Sequence, residues 1–251
     1  MPSRNLSIRI QHVNPVLLTP EVLFNLKKLN IGLEIRDFVL PSLLDRFKIK
    51  EAFIEGYRII VDQKIKISVH GPTMDLNLGS LDGKIRKISI ERVMSSLEIA
   101  KRLSSDFVII HSNYNPIYIT KKERYDEWVG RMLKSYQEID KKFKNRGVNL
   151  CIENSPSEPL VRYLTLLNLI KINLKNINIF GCLDYDHLNN VDKRRFFSIA
   201  DPLIIYLHVP EKIFLCADKV KKIFRMKNVR SICLEGSNIN SMRLEIIRQF
   251  L

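Results

Sequence analysis

The chain has 251 residues, of which 45% are hydrophobic and 27% charged, with a net charge of +14. This is enough chain to bury a substantial core. No apolar run reaches the roughly eighteen residues of a membrane span, which excludes a membrane protein of the helical kind. "MPSRNLSIRIQH" at the start lacks a signal-peptide core, so a cytoplasmic protein is expected. Four cysteines (Cys151, Cys182, Cys216, Cys233) have no CxxC spacing and are expected to stay reduced there.

In chain order, short apolar runs read as strands: 6–12, 31–35, 65–70, 106–111, 148–153, 179–184, 203–208 and 230–235. Between them lie segments of helical period. In 86–104 the stripe is Ile90, Val93, Met94, Leu97, Ala100 and Leu103. In 121–146 it is Tyr125, Trp128, Met132, Tyr136, Ile139 and Phe143. Shorter helices are expected over 157–173, 191–199, 216–227 and 239–250. "NSPSEP" after the fifth strand places Ser and Pro where a helix needs a cap and a fixed φ. Eight strands alternating with helices over ~250 residues have the size and rhythm of an α/β (β/α)8 TIM barrel. A doubly wound sheet would announce a glycine-rich phosphate loop, and none occurs. No linker or composition shift divides the chain, so 1–251 reads as one TIM-barrel domain.

The positive charge is spread along helix-like segments such as "ADKVKKIFRMKNVR", without an arginine-rich or RNP-like motif. Solvated helix faces account for it, while it favours anionic partners, sugar phosphates as well as DNA.

The strand ends carry the chemistry. They read His12, His70, His111, Glu153, Asp184, His208 and Glu235, with His187 one turn beyond the sixth. All five histidines therefore lie at or just past C-terminal strand ends, where a barrel builds its active site. Carboxylates and imidazoles converging on one mouth suit a divalent metal ion (Mn, Mg, Co or Zn), whose charge relieves the crowding of the acids. Cys151, Cys182 and Cys233 each precede an acid by two residues. They share its face, about 6.6 Å lower on the strand, and read as small apolar filling.

The pieces "SVHGPTMDLNLGS" (68–80), "VIIHS" (108–112), "LCIENSP" (150–156), "GCLDYDH" (181–187), "YLHVPE" (206–211) and "ICLEG" (232–236) resemble, in order, the xylose-isomerase-like TIM barrels. That group includes sugar (phosphate) isomerases/epimerases and the endonuclease IV family of AP endonucleases. The resemblance implies a four-ligand metal site of Glu153, Asp184, His208 and Glu235, and a substrate or second-metal role for His187. It matches His70 and His111 to additional zinc ligands of the nuclease branch. The Asp-x-His pair of that branch is missing, and no histidine follows His208.

Implied, then, is an isomerase or epimerase of a sugar or sugar phosphate, acting through an enediolate with Glu153 and Glu235 as acid/base pair. His12 and Glu34 are candidates for lining the pocket. Lys212 stands in for the arginine that several ketose epimerases use and that this sequence lacks soon after His208. Two alternatives stay open: zinc-dependent cleavage of abasic DNA, and a catalytically silent metal- or sugar-binding barrel. Asp186 shares strand parity with Asp184, so a local bend could exchange their roles.

Overall fold

A computed structural model describes residues 6–116, 121–144, 147–199, 201–214 and 216–235. Eight strands close in sequence order into a parallel barrel: β1 Ser7–His12, β2 Ile31–Ile35, β3 Ile67–His70, β4 Phe107–His111, β5 Asn149–Glu153, β6 Asn178–Asp184, β7 Ile204–Pro210 and β8 Ser231–Glu235. β8 pairs back onto β1 through Ser7 and Ser231. Each expected strand is found, with ends shifted by two residues at most.

Among the described residues the helices are α1 Pro20–Lys28, α2 Pro41–Asp45, α3 Phe47–Asp62, α4 Gly83–Arg102, α5 Lys122–Lys142, α6 Leu160–Asn173, α7 Asn190–Arg195, α8 Glu211–Phe214 and α9 Ala217–Arg225. The stripes read from the sequence face inward: Ile90, Val93, Leu97 and Ala100 on α4, and Trp128, Met132, Tyr136 and Ile139 on α5, are all buried. α1, before β2, α2 and α3, after it, and the short α8, after β7, are additions to the expected helices. The expected helix 239–250 lies outside the described residues. Side-chain caps start several helices: Thr19 accepts from the Val22 amide, Asp82 from Lys84, and Asn189 from Val191 and Asp192.

Strand parity separates two cores. Ile8 and Ile10, Leu33 and Ile35, Val108 and Ile110, and Leu150 and Ile152 point outward into the layer packed under the helices. The opposite face fills the barrel with Phe107, Ile109, Cys151, Cys182, Tyr206 and Cys233, joined by Ile205 where the β6–β7 register is irregular. Below them the buried Arg9 donates from Nε to Ser231 Oγ (3.0 Å), its guanidinium 5.0 Å from the Phe107 ring centre. The three barrel thiols are fully buried and unbridged, as filling requires. Burial pushes each of them up, so they stay protonated.

β6 approaches its surroundings closely. A Cβ on Gly181 would lie 2.5 Å from Ile204 Cδ1 and 2.6 Å from Tyr163 Oη, so any larger residue must displace these packed side chains. The register between β6 and β7 shifts just after it, at Gly181/Cys182, and aligns Asp184 with His208.

Candidate metal centre

Inward parity brings Glu34, His70, His111, Glu153, Asp184, His208 and Glu235 to the top of the barrel. Glu153 is the centre of the group. Its Oε2 lies 3.3 Å from Nε2 of both His70 and His111. Its Oε1 lies 3.3 Å from Nδ1 of both His187 and His208. His208 Nδ1 is also 3.3 Å from Glu235 Oε1 and 3.9 Å from Asp184 Oδ2. Among the described residues the possible ligand atoms form overlapping groups. Asp184, His208 and Glu235 make one, with Glu153 3.3 Å from the same His208 nitrogen; His70, His111 and Glu153 make a second, and Glu34, His70 and His208 a third.

The electrostatics fit a cation between these groups. Glu153 Oε2 and His208 Nδ1 are buried and have no hydrogen-bond partner, an arrangement that is costly unless something binds there. Burial, with the negative charge of Glu153 and Glu235, pushes the Asp184 carboxyl up to about 9. Acids forced together in this way ionise only beside a positive charge. Burial also pushes Glu153 up, but His111 and His208 outweigh it and hold the carboxyl well below its usual range. Among the described residues no cysteine other than Cys182 approaches these sets. Its thiol stays protonated, so oxygen and imidazole nitrogen are the donors.

The surrounding hydrogen bonds fix the donors. His208 Nε2 meets Glu34 Oε2 at 3.0 Å, leaving Nδ1 to face the acids. Glu34 also accepts from the Tyr206 hydroxyl (2.7 Å). Burial pushes Glu34 up, yet His208, His70 and Tyr206 together bring it down to about 2. His70 Nδ1 sits 3.0 Å from the Gly71 carbonyl, which leaves Nε2 free to ligate. Asn154 clamps the β6 end. Its Oδ1 accepts from the Asp184 amide (2.7 Å), its Nδ2 donates to the Asp184 carbonyl (3.3 Å), and its own carbonyl holds His187 Nδ1 (2.7 Å).

Three of the candidate pocket residues stand elsewhere. His12 shares parity with Ile8 and Ile10 and therefore leaves the barrel; its Nε2 lies 3.0 Å from the Asn14 carbonyl. Gln11, one residue earlier, takes the inward position and donates to Glu235 through Nε2. Glu34 lies fully buried beneath the mouth and supports His208, so it does not line the pocket. Lys212 is exposed on the rim, 3.6 Å from Asp186, which Lys193 also approaches at 3.6 Å. Asp184 is buried next to His208, whereas Asp186 is more exposed and lines the cavity over the centre.

A cavity of about 330 Å3 opens over the centre, lined among others by Gln11, Arg36, Thr73, His111, His187 and Glu235. Arg36, just past the end of β2, is an arginine in this lining, and its Nη1 donates to Gln11 Oε1 (2.8 Å). Gln11, Arg36 and Asn154 escaped the sequence reading. Gln11 could have been found from the Ile8–Ile10 alternation, whereas Arg36 and Asn154 carry no local signal.

"NSPSEP" does not cap α6, whose first turn has no side-chain cap. Glu158 turns inward instead and accepts from Ser112 Oγ (2.5 Å) and the Ser155 amide (2.9 Å). Burial pushes its carboxyl up to about 7, only partly offset by those bonds. The folded chain therefore keeps a proton that the unfolded chain releases near 4.5. This stabilisation is complete below pH 4.5 and is lost as pH rises to about 7, on the order of 3 kcal/mol in all. Glu158→Gln is expected to flatten that decline. Urea unfolding of both proteins at pH 5 and pH 8 checks it, and parallel losses would remove Glu158 as the cause.

Fold and mouth together define a (β/α)8 barrel with a carboxylate–imidazole cluster at the C-terminal ends of its strands, fitted for divalent metal. Residues 32–228 match the xylose isomerase-like TIM barrel family, and the chain belongs to it. It is similar to the uncharacterized protein MJ1614 of Methanocaldococcus jannaschii, 27% identical over 193 residues covering 72% of this chain and 74% of that one. Among solved structures, the TTHB071 protein from Thermus thermophilus, soaked with ZnCl2, shares the fold with a TM-score of 0.68 at 20% identity over 98% of both chains. A D-psicose 3-epimerase solved in the presence of D-fructose gives 0.65 at 15% identity, over 97% of this chain and 90% of that one.

Proposed function

We propose that the protein is a divalent-metal-dependent isomerase or epimerase of a sugar or sugar phosphate. One observation carries this reading: carboxylates from β5 and β8, Glu153 and Glu235, each stand 3.3 Å from the same His208 nitrogen beside a small cavity. A volume of about 330 Å3 lies at the lower end for small-molecule sites and suits one sugar ring. The solved sugar epimerase with the same fold supports the same class.

Glu153, Asp184, His208 and Glu235 would hold the metal; His70 and His111 with the other Glu153 oxygen would hold a second ion. When bound, a divalent ion supplies positive charge that polarises the substrate carbonyl. The rest falls to the side chains. One of the Glu153 and Glu235 carboxylates takes the proton next to the carbonyl, and the C–H electrons move into an enediolate. The other carboxyl returns a proton from its own side: to the same carbon in an epimerase, to the neighbouring carbon in an isomerase. Glu153 is held in the ionised form, the one able to take a proton. His187, fixed by Asn154, orients substrate oxygens, and Arg36 offers a positive charge to a phosphate or a hydroxyl.

The nuclease reading gains no support, since no histidine follows His208 to complete a third zinc. Deuterium exchange from solvent into a panel of ketoses and their phosphates, with Mn, Mg, Co or Zn supplied, is the test. Exchange at the carbon beside the carbonyl is expected. Its absence from the whole panel, with metal bound, would leave a silent binding barrel.

A further inference from the structure

A second cavity, about 610 Å3 and larger than the first, opens on the same face of the barrel. It lies between the loops after β3 and β4, the start of α4, and the first three turns of α5. The two cavities draw on the same two loops. Thr73 and His111 line the first, while Asn77 and Asn113 on the same loops line the second. His111 and Asn113 are two residues apart, a span of at most about 7 Å.

The lining has a definite chemistry. Its charged side chains cancel, two arginines (Arg124, Arg131) against Asp82 and Glu127. Arg131 is already engaged, with Nε donating to the Gly79 carbonyl (2.9 Å) and Nη1 3.7 Å from Glu127. Among the described lining residues no net charge therefore waits for an anion. Leu81 and Ile85 (71% and 43% exposed) supply apolar wall, together with an edge of Trp128, which is only 3% exposed. Asn77 Oδ1 is an acceptor almost closed to solvent, with no hydrogen-bond partner among the described residues. An apolar wall beside amides and compensated charges matches a pyranose ring, which presents C–H faces and hydroxyl donors at its edge.

We propose that this cavity binds a neutral sugar ring, and that the substrate is a saccharide of two rings or more whose reacting ring reaches the metal centre. The second part rests on the isomerase or epimerase reading; the first does not. Asn77 accepts a hydroxyl from the outer ring, and the Trp128 side chain lies along the cavity wall.

Trp128 is the sole tryptophan of the chain, so its fluorescence reports on this cavity directly. The full chain, metal-free and metal-loaded, is titrated with maltose, cellobiose, methyl β-D-glucoside and inorganic phosphate. Saturable changes with the sugars in both forms, and none with phosphate, are the expected result. Asn77→Ala removes no hydrogen bond made by that oxygen within the fold, so the melting temperature should hold while sugar binding weakens about tenfold. A response to phosphate alone, silence with every sugar, or unchanged affinity in Asn77→Ala would overturn the proposal. If Trp128 responds to sugars but no sugar exchanges deuterium, the isomerase reading fails and the sugar site stands. If free monosaccharides exchange and disaccharides neither bind nor exchange, the reverse holds.

Discussion

Glu235→Gln is expected to cut deuterium exchange by roughly a hundred- to ten-thousandfold, the usual contribution of a positioned acid or base. The amide keeps the size of the carboxylate and still accepts the hydrogen bond from Gln11, so the fold should survive. Glu153→Gln should be at least as damaging, and for a further reason. Glu153 touches His70, His111, His187 and His208, and loss of its charge removes the group common to both ligand sets. The two variants therefore separate in a second measurement. Glu235→Gln should weaken metal binding at one set, whereas Glu153→Gln should weaken it at both, as read by calorimetric titration with manganese or zinc. Equal exchange rates in Glu235→Gln and the parent protein would remove Glu235 from the chemistry.

The second large effect is expected at a residue outside the cavity. Glu34→Gln should lower metal affinity about ten- to a hundredfold, as changes behind a ligating histidine do. The carboxylate makes His208 a stronger donor by pulling on the Nε2 proton. A glutamine oxygen accepts the same bonds from His208 and Tyr206 with less charge behind it. Melting of the metal-free protein should change little, while the metal-induced rise in melting temperature shifts to higher metal concentration. A fall in metal-free stability with unchanged affinity would show that Glu34 acts only on packing.

Most of the centre was legible because strand ends and parity are local properties. In "ISVH", "FVIIH" and "SICLE" the apolar residues of one parity pack under the helices, and the polar residue at the end takes the other face. The same rule, applied to "SIRIQH", places Gln11 inside and His12 outside. Position at a strand end suggested the reverse, since His12 is the final residue but has the parity of Ile8 and Ile10. Glu34 has inward parity as well, yet it sits fully buried below the mouth and supports a ligand from there.

By itself the sequence determined the barrel, the strand ends and the residue types gathered there, because alternation, helical period and side-chain chemistry are written within a few residues. Only the tertiary structure decided which atoms meet. Barrel closure sets Glu34 of β2 against His208 of β7, Gln11 of β1 against Glu235 of β8, and Arg36 against Gln11. It also opens a second cavity where α4 and α5 meet the loops beside the metal centre. These partners lie up to 224 residues apart, a separation over which no local pattern acts.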